Sequence, residues 1–216
     1  MGLFACALVI GAASFASAGV PDLQTTTANT VYHDGGGTLT LSVFNLPNGA
    51  GYAFTDAFLP AGGGTTDATI NLTLRDGFGV PIAAFPRSDM WIENLGVGDP
   101  LLEAGMTPCG GTAIADFNTN DLGETVWQNP VFAGGQATTL TIVKINGDAL
   151  TSNGGLAISF NSADVTGDGV VNLSDAGAFT TFLGGTYSYN GDFNNDGVVS
   201  LPDAGFMSNA LGASCP

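Results

Sequence analysis

The sequence predicts a mainly β protein: an antiparallel β-sandwich of short strands, followed by a small α-helical segment at the C-terminal end. Three observations carry this reading. From about residue 28 to 160, apolar residues alternate with polar ones, and the runs are cut by Gly, Asn, Asp and Pro. Charged residues make up only 10% of the 216-residue chain while glycine reaches 33, which suits strands and turns better than long surface helices rich in Glu and Lys. Residues 164–212 repeat one pattern twice, an Asp/Gly-rich turn followed by a short stretch with apolar residues at helical spacing.

The chain begins with an apolar run over 3–18 that ends in Ala16, Ser17 and Ala18, a small-x-small pattern of the kind cut in secretion. Residues 1–18 are therefore expected to be a signal peptide and the product to be secreted, with no membrane insertion after cleavage. No Lys or Arg follows Met1, which leaves the natural start open. Removing the leader leaves Cys109 and Cys215, which in an oxidising compartment pair with each other or stay free. Three bases, Arg75, Arg87 and Lys144, face 19 acids, and the net charge of −16 argues against nucleic acid or an anionic membrane as partner.

The sandwich is assigned to 19–160. Leu39, Leu41 and Val43 share one face opposite Thr38, Thr40 and Ser42; Ile70, Leu72 and Leu74 alternate with Thr69, Asn71, Thr73 and Arg75. Residues 139–145 and 156–160 do likewise, and each run reads as a half-buried strand. Turn signals separate them at Pro47-Asn48-Gly49, Gly62-Gly63-Gly64, Asp76-Gly77-Phe78-Gly79, Asn146-Gly147-Asp148 and Asn153-Gly154-Gly155. His33, beside Asp34 and three glycines, reads as a turn residue.

Catalytic motifs are absent from the sequence: there is no Gly-x-Ser-x-Gly elbow, no phosphate-cradling glycine loop and no His cluster. Asp116 and Glu124 read as acids of strand-end turns, not as a glycosidase pair. Trp91, Trp127, Tyr52 and Phe54 fit a core better than a sugar-stacking platform. The stretch 68–82, a strand leading into Asp76-Gly77-Phe78-Gly79-Val80-Pro81-Ile82, resembles bacterial immunoglobulin-like modules of the invasin type, as do Gly110 to Ala113 with Asp121 to Thr125. That resemblance implies an immunoglobulin-like sandwich with a binding, spacer or adhesive role and no catalysis.

The C-terminal segment, assigned to 161–216, has six Asp, no Glu and no base. The six are Asp164, Asp168 and Asp175 and, 28 residues on, Asp192, Asp196 and Asp203, at positions 1, 5 and 12 of two loops with glycine at position 6. This is the spacing of an EF-hand-type calcium loop, since a hard cation needs six to eight oxygens at about 2.3–2.6 Å and the glycine permits the sharp turn. The candidate ligands are Asp164, Thr166, Asp168, the Val170 carbonyl, Asn172 and Asp175, then Asp192, Asn194, Asp196, the Val198 carbonyl, Ser200 and Asp203. Two Ca²⁺ ions are expected. Aligning 164–184 with 192–212 gives 11 identities in 21. Each loop precedes a short helix, with Ala176, Phe179, Phe182 and Leu183 in the first and Ala204, Met207, Ala210 and Leu211 in the second, stopped by Gly184 and Gly212. Pro202 suits a first helical turn.

Strand-like residues at 155–160 stand where an entering helix would be, so these are loop-plus-helix half motifs in tandem. Such a segment resembles a dockerin domain of type I. The resemblance implies a calcium-dependent plug for a cohesin-like or other extracellular protein. Its recognition positions correspond to Leu173, Ser174, Thr180 and Thr181, and by near-symmetry to Leu201, Pro202, Ser208 and Asn209. None of these is ionisable; the two leucines serve either the partner or the repeat's own interior. The expected protein is secreted, calcium-binding and non-catalytic, displaying a sandwich through a dockerin-like attachment domain. The alternatives are a calcium-stabilised structural or adhesive surface protein, and a carbohydrate-binding module with a polysaccharide partner.

Overall fold

The computed structural model describes residues 19–32, 40–94, 105–152 and 154–216. The expected leader over 1–18, together with His33, Thr38, Leu39 and Asn153, lies outside the described residues. Among the described residues the chain is mainly β. The strands are β1 (Thr27–Thr30), β2 (Leu41–Asn45), β3 (Ala57–Phe58), β4 (Thr65–Thr66), β5 (Ile70–Thr73), β6 (Met90–Glu93) and β7 (Thr107–Pro108). They continue as β8 (Ala113–Ile114), β9 (Glu124–Trp127), β10 (Ala133–Gly134), β11 (Ile142–Ile145), β12 (Asp148–Ala149) and β13 (Ile158–Ser162). Two helices follow, α1 (Leu173–Thr180) and α2 (Leu201–Ala210). The sheets run β1-β5-β9, β10-β7, β12-β11-β6-β8 and β13-β2-β3-β4.

Alternation sets the burial of several strands. Ile70 and Leu72 of β5, Met90 and Ile92 of β6, and Val143 and Ile145 of β11 are buried, with the residues between them more exposed. They join Leu41, Val43, Phe54, Trp127, Ile158 and Phe160 in one apolar cluster. Phe54 and Phe160 meet edge to face with ring centroids 6.0 Å apart. Between β11 and β12, Asn146 (φ 52°) and Gly147 (φ 94°) both take the left-handed conformation, as a two-residue hairpin turn that follows the strand twist requires.

The strand pair β2 and β13 departs from the expected antiparallel, half-buried pattern. β13 lies parallel to β2, in register from Ile158 opposite Leu41 to Ser162 opposite Asn45. Both strands are buried at every position, so Ser42 does not face solvent as the alternation predicts. Parallel strands are usually covered on both faces, and here the C-terminal segment is the second cover. The Ser42 and Tyr189 hydroxyls share a hydrogen bond of 2.7 Å. Asn161 donates from Nδ2 to the carbonyls of Tyr189 (2.6 Å) and Asp192 (2.9 Å). Phe44 joins Phe179, Phe193, Met207 and Ala210 in a second apolar cluster, with ring centroids 5.5 Å from Phe193 and 5.1 Å from Phe206.

The expected boundary between 160 and 161 falls inside β13, which runs on to Ser162 and leads directly into the first loop. A disulfide joins Cys109 to Cys215 across 106 residues, with Cα atoms 5.5 Å apart, and ties the C-terminal end to the β7–β10 ribbon. No helix of the described residues is long and apolar enough to cross a membrane. Because Phe44 carries the C-terminal segment on β2, Phe44→Ala is expected to cost about 3–5 kcal/mol. Replacing exposed Asn71 on β5 by Thr should cost less than about 0.5 kcal/mol. Urea denaturation of both variants checks the contrast.

Candidate metal centre

The two Asp-rich loops fold alike, and backbone geometry explains why. Position 6 is left-handed in both, Gly169 at φ 85° and Gly197 at φ 86°, and so is position 4, Gly167 at 69° and Asn195 at 55°. A side chain disfavours this region except in Gly and, to a lesser degree, Asn or Asp. The turns aim backbone N–H groups at the position 1 carboxylates. Asp164 accepts from Asp168 N (3.2 Å) and Gly169 N (2.8 Å); Asp192 accepts from Asp196 N (3.0 Å) and Gly197 N (2.8 Å).

Position 12 closes each loop and starts each helix. Asp175 accepts from Thr166 N (2.9 Å) and Thr166 Oγ1 (3.0 Å) across the loop, and from Asn172 N (2.8 Å) at the helix start. Asp203 accepts from Phe193 N (2.8 Å) and from Ser200 N (2.9 Å) in the same way. Each is therefore also the acidic member of a capping box at the third residue of its helix. Helices of eight and ten residues are too short to stand alone, so they depend on this closure. α1 stops at Thr180, short of Leu183, and Phe182 and Leu183 lie in the turn that follows. There Thr180 and Thr181 donate their hydroxyls back to the carbonyls of Gly177 and Ala178, 2.7 Å each.

Asp164, Asp175, Asp192 and Asp203 are fully buried, yet among the described residues none has a basic partner. Arg75 donates to the Gly79 carbonyl, Arg87 to the Asp116 carbonyl, and Lys144 pairs with Glu93. Burial first, and then the neighbouring charges of Asp175 and Asp168, push the Asp164 carboxyl above the usual carboxylate range against the pull of the Gly169 N–H. Burial likewise raises Asp192, opposed by the Gly197 N–H and the Tyr187 hydroxyl, which donates to it at 3.0 Å. A bound cation would remove both costs.

The carboxylates of the first loop are close enough together to hold one hard divalent ion. In the first loop Asp164, Asp168 and Asp175 each offer an oxygen, all within 4.8 Å of one another. Oxygens on opposite sides of a calcium ion at about 2.3–2.6 Å lie no more than about 5 Å apart, so one centre can serve all three. Thr166 Oγ1 lies 3.5 Å from Asp164 Oδ1, beside the cluster. The Val170 carbonyl accepts from Asn172 Nδ2 (3.1 Å), and Asn172 Oδ1 caps α1 at Ser174 N (2.8 Å). In the second loop Asn194 Nδ2 donates to Asp196 Oδ2 (2.9 Å) while its Oδ1 accepts from Asp196 N (3.2 Å). Val198 N donates to Asp196 Oδ1 (2.8 Å). Among the described residues, the second set is not gathered to the spacing of the first.

Several residues the sequence did not single out hold these loops. Ser162 Oγ accepts from Asp164 N (3.1 Å), Gly135 N donates to the Asp164 carbonyl (2.8 Å), and Gln136 Nε2 donates to the Val165 carbonyl (3.0 Å). Gly134 of β10 abuts the Asp164 carboxyl so closely that a Cβ there would overlap it, lying 2.6 Å from its Cγ. Only the Gly134-Gly135 pair hints at this in sequence, and it reads equally well as a turn.

Elsewhere the candidate groups are dispersed. Asp116 Oδ2 accepts from Gln128 N (2.8 Å) and Asn129 N (3.2 Å) just beyond the end of β9, while Glu124 accepts from Asn120 Nδ2 (3.1 Å) within a local turn. Trp127 and Phe54 are buried in the core, Trp91 donates to Glu93 (2.9 Å), and Tyr52 packs against Phe44, Phe58 and Phe206. The leucine question is resolved toward solvent: Leu173 is 82% and Leu201 83% exposed, and Ser174, Thr180, Thr181, Pro202, Ser208 and Asn209 are exposed as well. Comparison with protein-family models, with curated proteins and with solved structures finds no match to this chain.

Asp175→Ala removes a loop closure and a helix cap together. In chelator it should cost about 1–2 kcal/mol from the cap alone, with loss of helical circular dichroism at 222 nm. Exposed Asp168→Ala should leave the chelated protein within about 0.5 kcal/mol of its original stability. Thermal melts in EDTA read both.

Proposed function

We propose that this is a secreted, non-catalytic calcium-binding protein. Its C-terminal dockerin-like pair of half EF-hand repeats holds two Ca²⁺ ions and attaches an immunoglobulin-like β-sandwich to a cohesin-like or other extracellular partner. The observation that carries the reading is the duplicated loop network around four buried aspartates with no basic partner among the described residues. The first ion would be held by Asp164, Thr166, Asp168, the Val170 carbonyl, Asn172 and Asp175. The second would be held by Asp192, Asn194, Asp196, the Val198 carbonyl, Ser200 and Asp203. Calcium supplies charge neutralisation and a fixed centre for the oxygens; the chain supplies the turn glycines, the caps and the burial. The Cys109–Cys215 disulfide favours an oxidising compartment.

The attachment surface in this reading is the exposed outer side of the two helices. Two leucines there are free for apolar contact. The Thr180, Thr181 and Ser208 hydroxyls donate to carbonyls of their own helices, so they offer a partner mainly lone pairs. A second reading is a calcium-stapled structural or adhesive protein with no plug partner. The shared Phe44 cluster and the disulfide favour it, because they make the repeats part of one body with the sandwich. Capture experiments with and without chelator separate the two, since only the first requires a calcium-dependent protein partner.

If the sites bind at about 10⁻⁵ M and free calcium is about 1 mM, mass action adds roughly 2.7 kcal/mol per site. Calcium is thus expected to raise the melting temperature and EDTA to lower it; identical melts in the two would refute calcium binding. For the attachment surface, affinity for a captured partner should change little between 50 and 500 mM NaCl with calcium saturating, since its side chains are uncharged. A hundredfold loss at the higher salt would place the surface elsewhere.

A further inference from the structure

The two loops are held by different neighbours. The second meets the β layer through hydrogen bonds, Asn161 to the Asp192 carbonyl (2.9 Å) and Gly62 N to the Asn195 carbonyl (3.2 Å). The first is gripped on two sides. On one side the β7–β10 ribbon pairs Gly134 with Thr107 and presses Gly134 against the position 1 carboxyl of Asp164. On the other, the C-terminal tail runs antiparallel to positions 6–8. Cys215 N donates to the Gly169 carbonyl (2.9 Å), Val170 bridges Ser214, and Val171 N donates to the Ala213 carbonyl (2.8 Å). The two sides are one covalent unit, because Cys109 directly follows β7, donates from its N to the Phe132 carbonyl (2.7 Å) and is bonded to Cys215. A Cβ at Gly169 would lie 3.0 Å from Cys215 Sγ, so the sulfur sits against the loop's own turn.

We propose that Gly134 and the Cys109–Cys215 disulfide are positioning elements of the first cation loop, making the two loops inequivalent. Breaking the disulfide or adding a methyl group at Gly134 weakens calcium at 164–175 and leaves 192–203 unchanged. The proposal rests on the calcium reading above. Its physical basis is pre-organisation: a cation tolerates small errors in oxygen position, but ordering a loose loop around it costs affinity. With the disulfide intact, the tail and ribbon hold position 1 and positions 6–8 at a fixed separation before any ion arrives. By reciprocity, calcium in the first loop protects the disulfide. Dithiothreitol reduces the bond to two thiols and becomes a cyclic disulfide, and saturating calcium disfavours that equilibrium by the same factor by which reduction weakens the ion.

The test uses the full chain and two readouts. Calorimetric titration with calcium counts ions and gives both affinities. Terbium luminescence sensitised by Tyr187, whose hydroxyl contacts Asp192, reports the second loop, and Tyr187→Phe identifies that signal. The oxidised chain should bind two ions. Reduction, the double variant Cys109→Ser with Cys215→Ser, and Gly134→Ala in the oxidised chain should each weaken one site at least tenfold. The terbium titration should stay within twofold, and reoxidation should restore the reduced chain. An intact second-loop signal also certifies that each variant is folded. Two affinities unchanged in all three cases overturn the coupling while leaving the calcium reading in place. An equal loss at both loops assigns the disulfide and Gly134 a general stabilising role and overturns the inequivalence. An oxidised chain that binds neither ion defeats the calcium reading and this proposal together.

Discussion

Four aspartates are buried in this protein with no base to pair with among the described residues, and much of the C-terminal structure follows from that constraint. A buried, unpaired carboxylate is costly unless it is hydrogen-bonded or neutralised. The chain answers with backbone: every one of the four collects N–H groups from its own loop, and the left-handed residues at positions 4 and 6 make those N–H groups converge. Hydrogen bonds satisfy lone pairs but leave the charge in place. The raised pKa values of Asp164 and Asp192 express that residue of unfavourable energy, which a divalent ion of the kind proposed would offset through its charge and oxygen preference.

Because Asp175 and Asp203 are also the acidic members of their helices' capping boxes, neutralising the charge in a loop would favour helix formation after it. The linkage reaches the β layer through the second apolar cluster, where Phe44 of β2 and Leu46 just after it pack with Phe179 and Phe193. The repeats therefore rest on the outer face of the β2–β13 pair and make its burial complete. An attachment plug at the end of a flexible linker would leave that face to solvent. Here β13 passes straight from the parallel pair into the first loop, and the orientation of the repeats is part of the fold.

The sequence read on its own terms made much of this legible. Period-two alternation placed β5 and β11, since a strand with one wet face must alternate. Asn146-Gly147 marked its hairpin because few other residues accept two consecutive left-handed positions. The duplicated loop was legible for a similar reason: Asp at fixed positions and an obligatory glycine leave a fixed spacing in the chain, and it occurs twice.

Other features had no local signature and were decided by tertiary structure. Ser42, Ser159 and Asn161 look like solvent-facing strand residues, and they are buried because a distant segment covers them. The parallel pairing of β13 with β2 joins residues more than a hundred positions apart, which no short-range period records. The pairing of Cys109 with Cys215 and the contact of Gly134 with Asp164 likewise depend on where the β7–β10 ribbon meets the first loop. The sequence by itself determined several strand runs, the Asn146-Gly147 turn and the duplicated Asp/Gly spacing of the loops, because each obeys a local steric rule. The tertiary structure alone decided which faces are dry and which loop is clamped, because burial and covalent closure are properties of surfaces that meet only after folding.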